Sequence, residues 1–251
     1  MTGSAMTVEV ASVSEGWLGA CEALLGPREA NHLLIRMSNP LPEDGAIRAD
    51  AETLIASLGY QPIDEVRNTI FPAEVAADLP DPDDLSGDYV EHYDFIKGLG
   101  SPHGTYFGRM CGYPRTDGTT ANQLASTAAK LRRARAGAKW KAIYEINIYS
   151  EFKDRKKQRG FPCMSHLSLH LDGDRLDCMA TYRSHDLMRK GYGNYLGLAE
   201  LQRYMAAASG FMPGELAVLA GHAVLELPAT KRRELEALIE RHAPTGPPDD
   251  G

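Results

Sequence analysis

The stretch RGFPCMSHLSLHLDGDRLDCMATYRSHD, residues 159–186, decides how this chain is read. Polar and apolar residues alternate through SHLSLHL and again through RLDCMATYRS, the period of a half-buried strand. Between them Asp172-Gly173-Asp174 is a tight-turn signal, so the segment predicts a β-hairpin. Cys163 stands at its head, directly after Pro162. A free cysteine is most often a small core hydrophobe, but two neighbouring features point elsewhere. The basic loop KDRKKQRG (153–160) supplies positive potential that favours a thiolate. Past the hairpin, TYRSHDLMRKGYGN (181–194) crowds several kinds of polar group into a short span. His166 and His170 have the His-x-x-x-His spacing of a helical metal site. On a strand they stand about 13 Å apart and cannot share one ion, so no metal is expected.

Downstream, GNYLGLAELQRYMAAASG (193–210) reads as an apolar helix closed by Gly210. GELAVLAGHAVLEL is a buried strand or two, and ATKRRELEALIERHA is an amphipathic helix before a frayed tail at 243–251. Upstream, KAIYEINIYSEF (141–152) reads as a strand, and TTANQLASTAAKLRRARAG (119–137) as a helix with a threonine cap and a basic last turn. Residues 72–105 are acidic and broken, and DLPDPDDLSGDY reads as a solvated loop. ADAETLIASLGY predicts a helix stopped by Gly59, after a loop at 39–50. Residues 14–36 carry the helical spacing Trp17, Leu18, Cys21, Leu24, Leu25 and run on into LLIRM; MTGSAM reads in part as an appended scar. Strands and helices mix without βαβ alternation, which predicts a single α+β domain over 1–251, a mixed sheet flanked by helices.

Bulk properties narrow the function classes. At 251 residues the chain can bury a substantial core, and 43% hydrophobic with 24% charged residues describes a globular protein. A net charge of −7 argues against a broad nucleic-acid surface but leaves room for a local basic pocket. No apolar run reaches membrane-spanning length and no signal peptide is recognisable, so no membrane partner and a cytoplasmic location are expected. The four cysteines form no C-x-x-C pair. Cys21, Cys111 and Cys178 are expected to be inert packing residues, with Cys163 accessible and near Arg183.

With these residues in place, the segment resembles the thymidylate synthases and their pyrimidine nucleotide hydroxymethylase relatives. Pro162-Cys163 matches the family's nucleophile motif. Arg183-Ser184-His185-Asp186 follows at the family spacing of twenty residues, and Asn194 eleven beyond Arg183. Upstream, GTYFGRMCGYPRTDGTTANQLASTAAKLRRA is similar to the family's Tyr-Gly loop, its Pro-x-x-Asp-Gly turn and the helix that follows. The likeness is clear over about 104–215. The resemblance implies a sheet-to-sheet homodimer, and the half-polar face of His166, Ser168 and His170 suits such an interface. It implies a pyrimidine nucleotide substrate, 5,10-methylenetetrahydrofolate as cofactor, and a Cys163 adduct at C6 that makes C5 reactive. Arg183 and Ser184 would hold phosphate, Asp186 would order the cofactor side, and Asn194 would read the base. NTIFPAEVA corresponds to the approach to the family's catalytic glutamate, which nominates Glu74.

The chain also departs from the family. The family's paired arginines, lent across the dimer to the phosphate, fall near Lys139-Trp140-Lys141, where lysine offers a point charge without bidentate geometry; Lys141 is the candidate. The family's tyrosine for C5 deprotonation aligns with Phe107, leaving its neighbour Tyr106. The sugar-binding Gly-Gly-Asp-x-His-x-Tyr becomes Ala220 to Glu226: either His222 has shifted by two residues or sugar recognition differs. The C-terminal lid and the tryptophans that face the folate have no counterpart. The expectation is therefore a specialised C5 methyltransferase or hydroxymethyltransferase, a tailoring relative, with uracil favoured over cytosine because Asn194 can accept from N3–H and donate to O4. The rivals are a non-catalytic dimeric nucleotide binder with an eroded site and a cysteine-dependent transferase of another substrate.

Overall fold

The structure, a computed structural model, describes residues 6–98, 101–137 and 140–243. The chain opens with β1 (Met6–Val10), α1 (Val13–Leu25), β2 (Glu29–Met37) and α2 (Gly45–Ser57). A run of short helices follows: α3 (Ile63–Ile70), α4 (Ala73–Asp78), α5 (Pro82–Glu91), α6 (Tyr93–Gly98) and α7 (Tyr106–Cys111). The small ribbon β3 (Tyr113–Pro114) and β4 (Thr120–Ala121) leads to α8 (Gln123–Arg135), β5 (Tyr144–Asn147) and α9 (Glu151–Asp154). The predicted hairpin is β6 (Met164–Asp172) and β7 (Arg175–Tyr182), followed by β8 (His185–Asp186) and a π-helical turn, Leu187–Gly191. Last come α10 (Tyr192–Ser209), β9 (Met212–Val224) and α11 (Arg232–His242).

The main sheet is mixed, in the order β1-β2-β9-β7-β6-β5, with β8 added beside β9. β1 runs parallel to β2 and β7 parallel to β9; the other pairs on this path are antiparallel. Helices α1, α8 and α10 pack against it. Buried Leu167, Leu169, Leu171, Cys178, Ala180, Leu216 and Val218 face them, while alternate positions such as His170, Met179, Thr181 and Ala217 stay half-exposed. A mixed sheet flanked by helices is the architecture expected. Among the described residues no helix is long and apolar enough to cross a membrane.

Several elements correct the sequence reading. LLIRM does not prolong α1: a capping box between Ser12 and Glu15 starts that helix, Gly26-Pro27 ends it, and 29–37 becomes a strand. MTVEV forms the edge strand beside it. The second helix starts at Gly45, earlier than expected, because Asp44 accepts from the Ala46 and Ile47 amides. The acidic segment is not a loop. Asp81 caps α5, Pro82 opens it, and Asp83 and Asp84 sit in the first turn where the helix dipole favours them. Its other face buries Leu85 and Tyr89. The cap of α8 is Asn122, not a threonine.

The contact that sets one side of the site is α3 against α10. A Cβ on Gly193 would stand 2.5 Å from the Ile63 carbonyl oxygen, and one on Gly197 2.8 Å from that of Arg67. The two glycines let the helix backbones touch, which fixes Thr69 and the preceding Gln61 over the start of α10.

Candidate active site

The hairpin register places the chemistry. A tight turn at Gly173-Asp174 pairs Asp172 with Arg175, and the ladder continues to Met164 opposite Tyr182. One step further the Arg183 amide donates to the Cys163 carbonyl at 2.9 Å. Residues twenty apart in sequence are therefore neighbours by strand pairing. The Arg183 guanidinium then folds over the turn that presents the cysteine. It lies 3.8 Å above the Phe161 ring, donates to the Pro162 and Phe161 carbonyls at 3.1 and 3.2 Å, and reaches within 3.8 Å of the Cys163 sulfur. Stacking and a directed fork are properties of arginine that lysine lacks.

Cys163 is part-exposed and opens onto a cavity of about 360 Å³. The other three cysteines are buried, and burial raises each of their thiol pKa values. Of the residues nominated from sequence, Cys163, Tyr106, Ser184, Asp186 and Asn194 all line this cavity, with Arg183 behind the sulfur. Asn194 is 2% exposed, and its side-chain carbonyl oxygen has no hydrogen-bond partner. A buried acceptor left unpaired costs about 1–3 kcal/mol, and the residue that carries this one lines the cavity. Tyr106, rather than Phe107, faces the space. Phe107 is wholly buried between Phe71 and Tyr89. Burial raises the Tyr106 phenol pKa, and the nearby Cys163 adds to that shift.

Asp186 caps the π turn, accepting from the Met188 and Arg189 amides at 3.1 and 3.0 Å. Burial, followed by the nearby charge of Glu226, raises its carboxyl pKa. Its neighbour His185 is buried against Tyr182 and bonded to the Tyr195 hydroxyl at 3.0 Å; burial depresses its pKa to about 4 and keeps the ring neutral.

Three nominated residues lie elsewhere. Glu74, on α4, is exposed, paired with Arg67, and absent from the cavity wall. The helical phase of that short segment turns the carboxylate outward. Lys141 is exposed, and its carbonyl accepts from the Leu171 amide. Leu171 lies eight residues along β6 from Cys163, about 26 Å of strand. Lys139 falls outside the described residues. His222 pairs with Glu29 at 3.3 Å on β9 and does not reach the cavity wall. On the half-exposed sheet face, His166 binds Glu145 and Asn147, and Ser168 donates to Glu145 at 2.6 Å.

The structure adds Gln61, Thr69, His103, Arg109, Phe161 and Lys190 to the wall. Arg109 is held by the buried carboxylate of Asp154 at 2.9 Å. Burial alone would raise the pKa of Asp154, but the bonds from Arg109 and the Ser150 amide outweigh it and the net shift is downward. This pair ties the basic loop to α7. Comparison with known proteins assigns no family: no family model and no curated protein matches the chain.

Proposed function

We propose that the cavity binds a pyrimidine nucleoside monophosphate and that Cys163 adds to C6 of its base, activating C5 for transfer of a one-carbon unit. The observation that carries this reading is the pairing of an accessible sulfur beside a guanidinium with an unpartnered, buried Asn194 acceptor in one cavity. A thiol alone would suit many substrates. A thiol opposite an amide acceptor suits a heterocycle that offers N–H and is attacked at a ring carbon. Arg183 and Ser184 supply the cation and hydroxyl that a phosphate needs.

The one-carbon donor in this reading is methylenetetrahydrofolate, which supplies carbon at the oxidation level of formaldehyde. Asp186 is the carboxylate at hand: one oxygen caps the Met188 and Arg189 amides, the other pairs with the Arg189 guanidinium at 3.2 Å, and lone pairs remain on both for a further donor. No tryptophan is available, since Trp17 is buried and bonded to the Leu187 carbonyl and Trp140 is exposed. Phe161 and Tyr106 are the aromatic faces at hand. The half-exposed sheet face would join two copies, and only such a partner could bring Lys141 to a phosphate.

The eroded binder stays the second reading because the cavity wall contains no glutamate, Asp186 being its only carboxylate among the described residues. Release of tritium from C5 of UMP, dUMP, CMP and dCMP, with and without methylenetetrahydrofolate, separates the two. Release that vanishes in Cys163→Ser supports C6 addition; tight binding without release supports the binder.

A further inference from the structure

Asp186, Lys190 and Asn194 are spaced by four residues and all three line the cavity. Residues four apart along a helix share a face, and the π turn Leu187–Gly191, capped by Asp186, runs straight into α10. Within this stripe Lys190 is unusual. It is half-buried, its ammonium donates to the Gln61 side-chain carbonyl, and among the described residues it forms no ion pair. The cavity's other lining cation, Arg109, is committed to Asp154. Lys190 is thus a cation held by a neutral partner, one turn from an amide oxygen with none.

We propose that Lys190 donates to the exocyclic oxygen at C4 of the base and makes the site selective for uracil over cytosine. The inference rests on the reading of this cavity as a pyrimidine nucleotide site. An ammonium donor beside the Asn194 acceptor matches the O4 acceptor and N3–H donor of uracil. Cytosine presents an amino donor and a bare N3, so both contacts would oppose like with like. The same contact serves the chemistry. When the Cys163 sulfur bonds to C6, the C5=C6 electron pair moves between C4 and C5 and the C4=O4 pair moves onto oxygen. The thiolate's negative charge then resides at O4, where an ammonium in a poorly solvated cavity stabilises it. Burial lowers the Lys190 pKa, and the neighbouring Asp186 carboxylate opposes that shift.

The test compares the full chain with Lys190→Met and Lys190→Gln. Dissociation constants for UMP, CMP and their deoxy forms are measured by calorimetry, alongside C5 tritium release. The wild type is expected to bind the uracil nucleotide about tenfold more tightly than its cytosine counterpart, the size of one charged hydrogen bond. Lys190→Met should bring that ratio within about twofold, and Lys190→Gln, which keeps a neutral donor, should fall between. An unchanged ratio overturns the proposal. Equal weakening for both bases also overturns it and assigns Lys190 to the phosphate. Absence of tritium release from the wild type would sink C6 addition while the binding ratio still decides the role of Lys190; binding of neither base would overturn both.

Discussion

The two walls of the cavity are built differently. One wall is the end of the β6–β7 hairpin and the start of α10: Gly160 to Cys163, Ser184 to Asp186, Lys190 and Asn194. It draws on two short stretches locked together by strand register and the π turn. The opposite wall comes from Gln61, Thr69, residues 101–106 and Arg109, spread over α3 and the residues just before it, α7, and the loop before α7. The hairpin wall holds the sulfur, the carboxylate and the unpaired amide. The helical wall contributes Tyr106, His103 and Arg109, but no carboxylate among the described residues. Under the proposed function, reactivity belongs to the first wall and shape to the second.

The largest effect should follow that division. Cys163→Ser is expected to reduce C5 tritium release by at least about 10³-fold while leaving the unfolding midpoint within about a degree of wild type. Glu74→Gln should stay within about twofold, because its carboxylate faces solvent against Arg67. A large loss in the glutamate variant would move the reactive chemistry to the helical wall.

The hairpin wall is also the one legible in the amino-acid sequence. Period-2 alternation, a two-residue turn and the twenty-residue spacing are enough to set Cys163 opposite Arg183. The helical wall is not legible in this way. The acidic run Asp81 to Asp84, in the chain between α3 and α7, resembles solvated loop, and only the Asp-Pro start hints at a capped helix. Glu74 rests on a faint likeness that carries no helical phase. LLIRM is too short an apolar run for periodicity to separate strand from helix. Lys190 and Gln61 give no local signal, because their meeting depends on Gly193 and Gly197 bringing α3 against α10.

That close approach joins the walls, and breaking it comes next in size. Gly193→Ala puts a methyl group against a backbone carbonyl that cannot step aside, and should destabilise the fold by about 1–3 kcal/mol. Gly26→Ala, where nothing lies within 4 Å, serves as the control and should be close to neutral. Equal denaturation midpoints for the two variants would show that α3 is not held to α10 as described.

A smaller, pH-dependent effect belongs to the hairpin wall alone. His185 has a folded pKa of about 4 against an ordinary 6.5. Between those values the unfolded chain binds a proton that the folded chain refuses, so stability falls as pH drops. From pH 7 to pH 5 this group should remove about 2 kcal/mol. Denaturant titrations of wild type and His185→Phe should show a shallower pH slope in the variant by that amount; parallel slopes would place the imidazole in contact with solvent.

The central claim, that Cys163 bonds to C6 of a pyrimidine, is tested most directly by trapping the bond. A fluorine at C5 cannot leave as a cation, so 5-fluoro-UMP or 5-fluoro-dUMP with methylenetetrahydrofolate should arrest the reaction after C6 addition and C5 attack. Peptide mass spectrometry should then place the added mass on Cys163 and find none in Cys163→Ser. An adduct on Cys111 or Cys178, or none despite saturating nucleotide binding, would contradict the account.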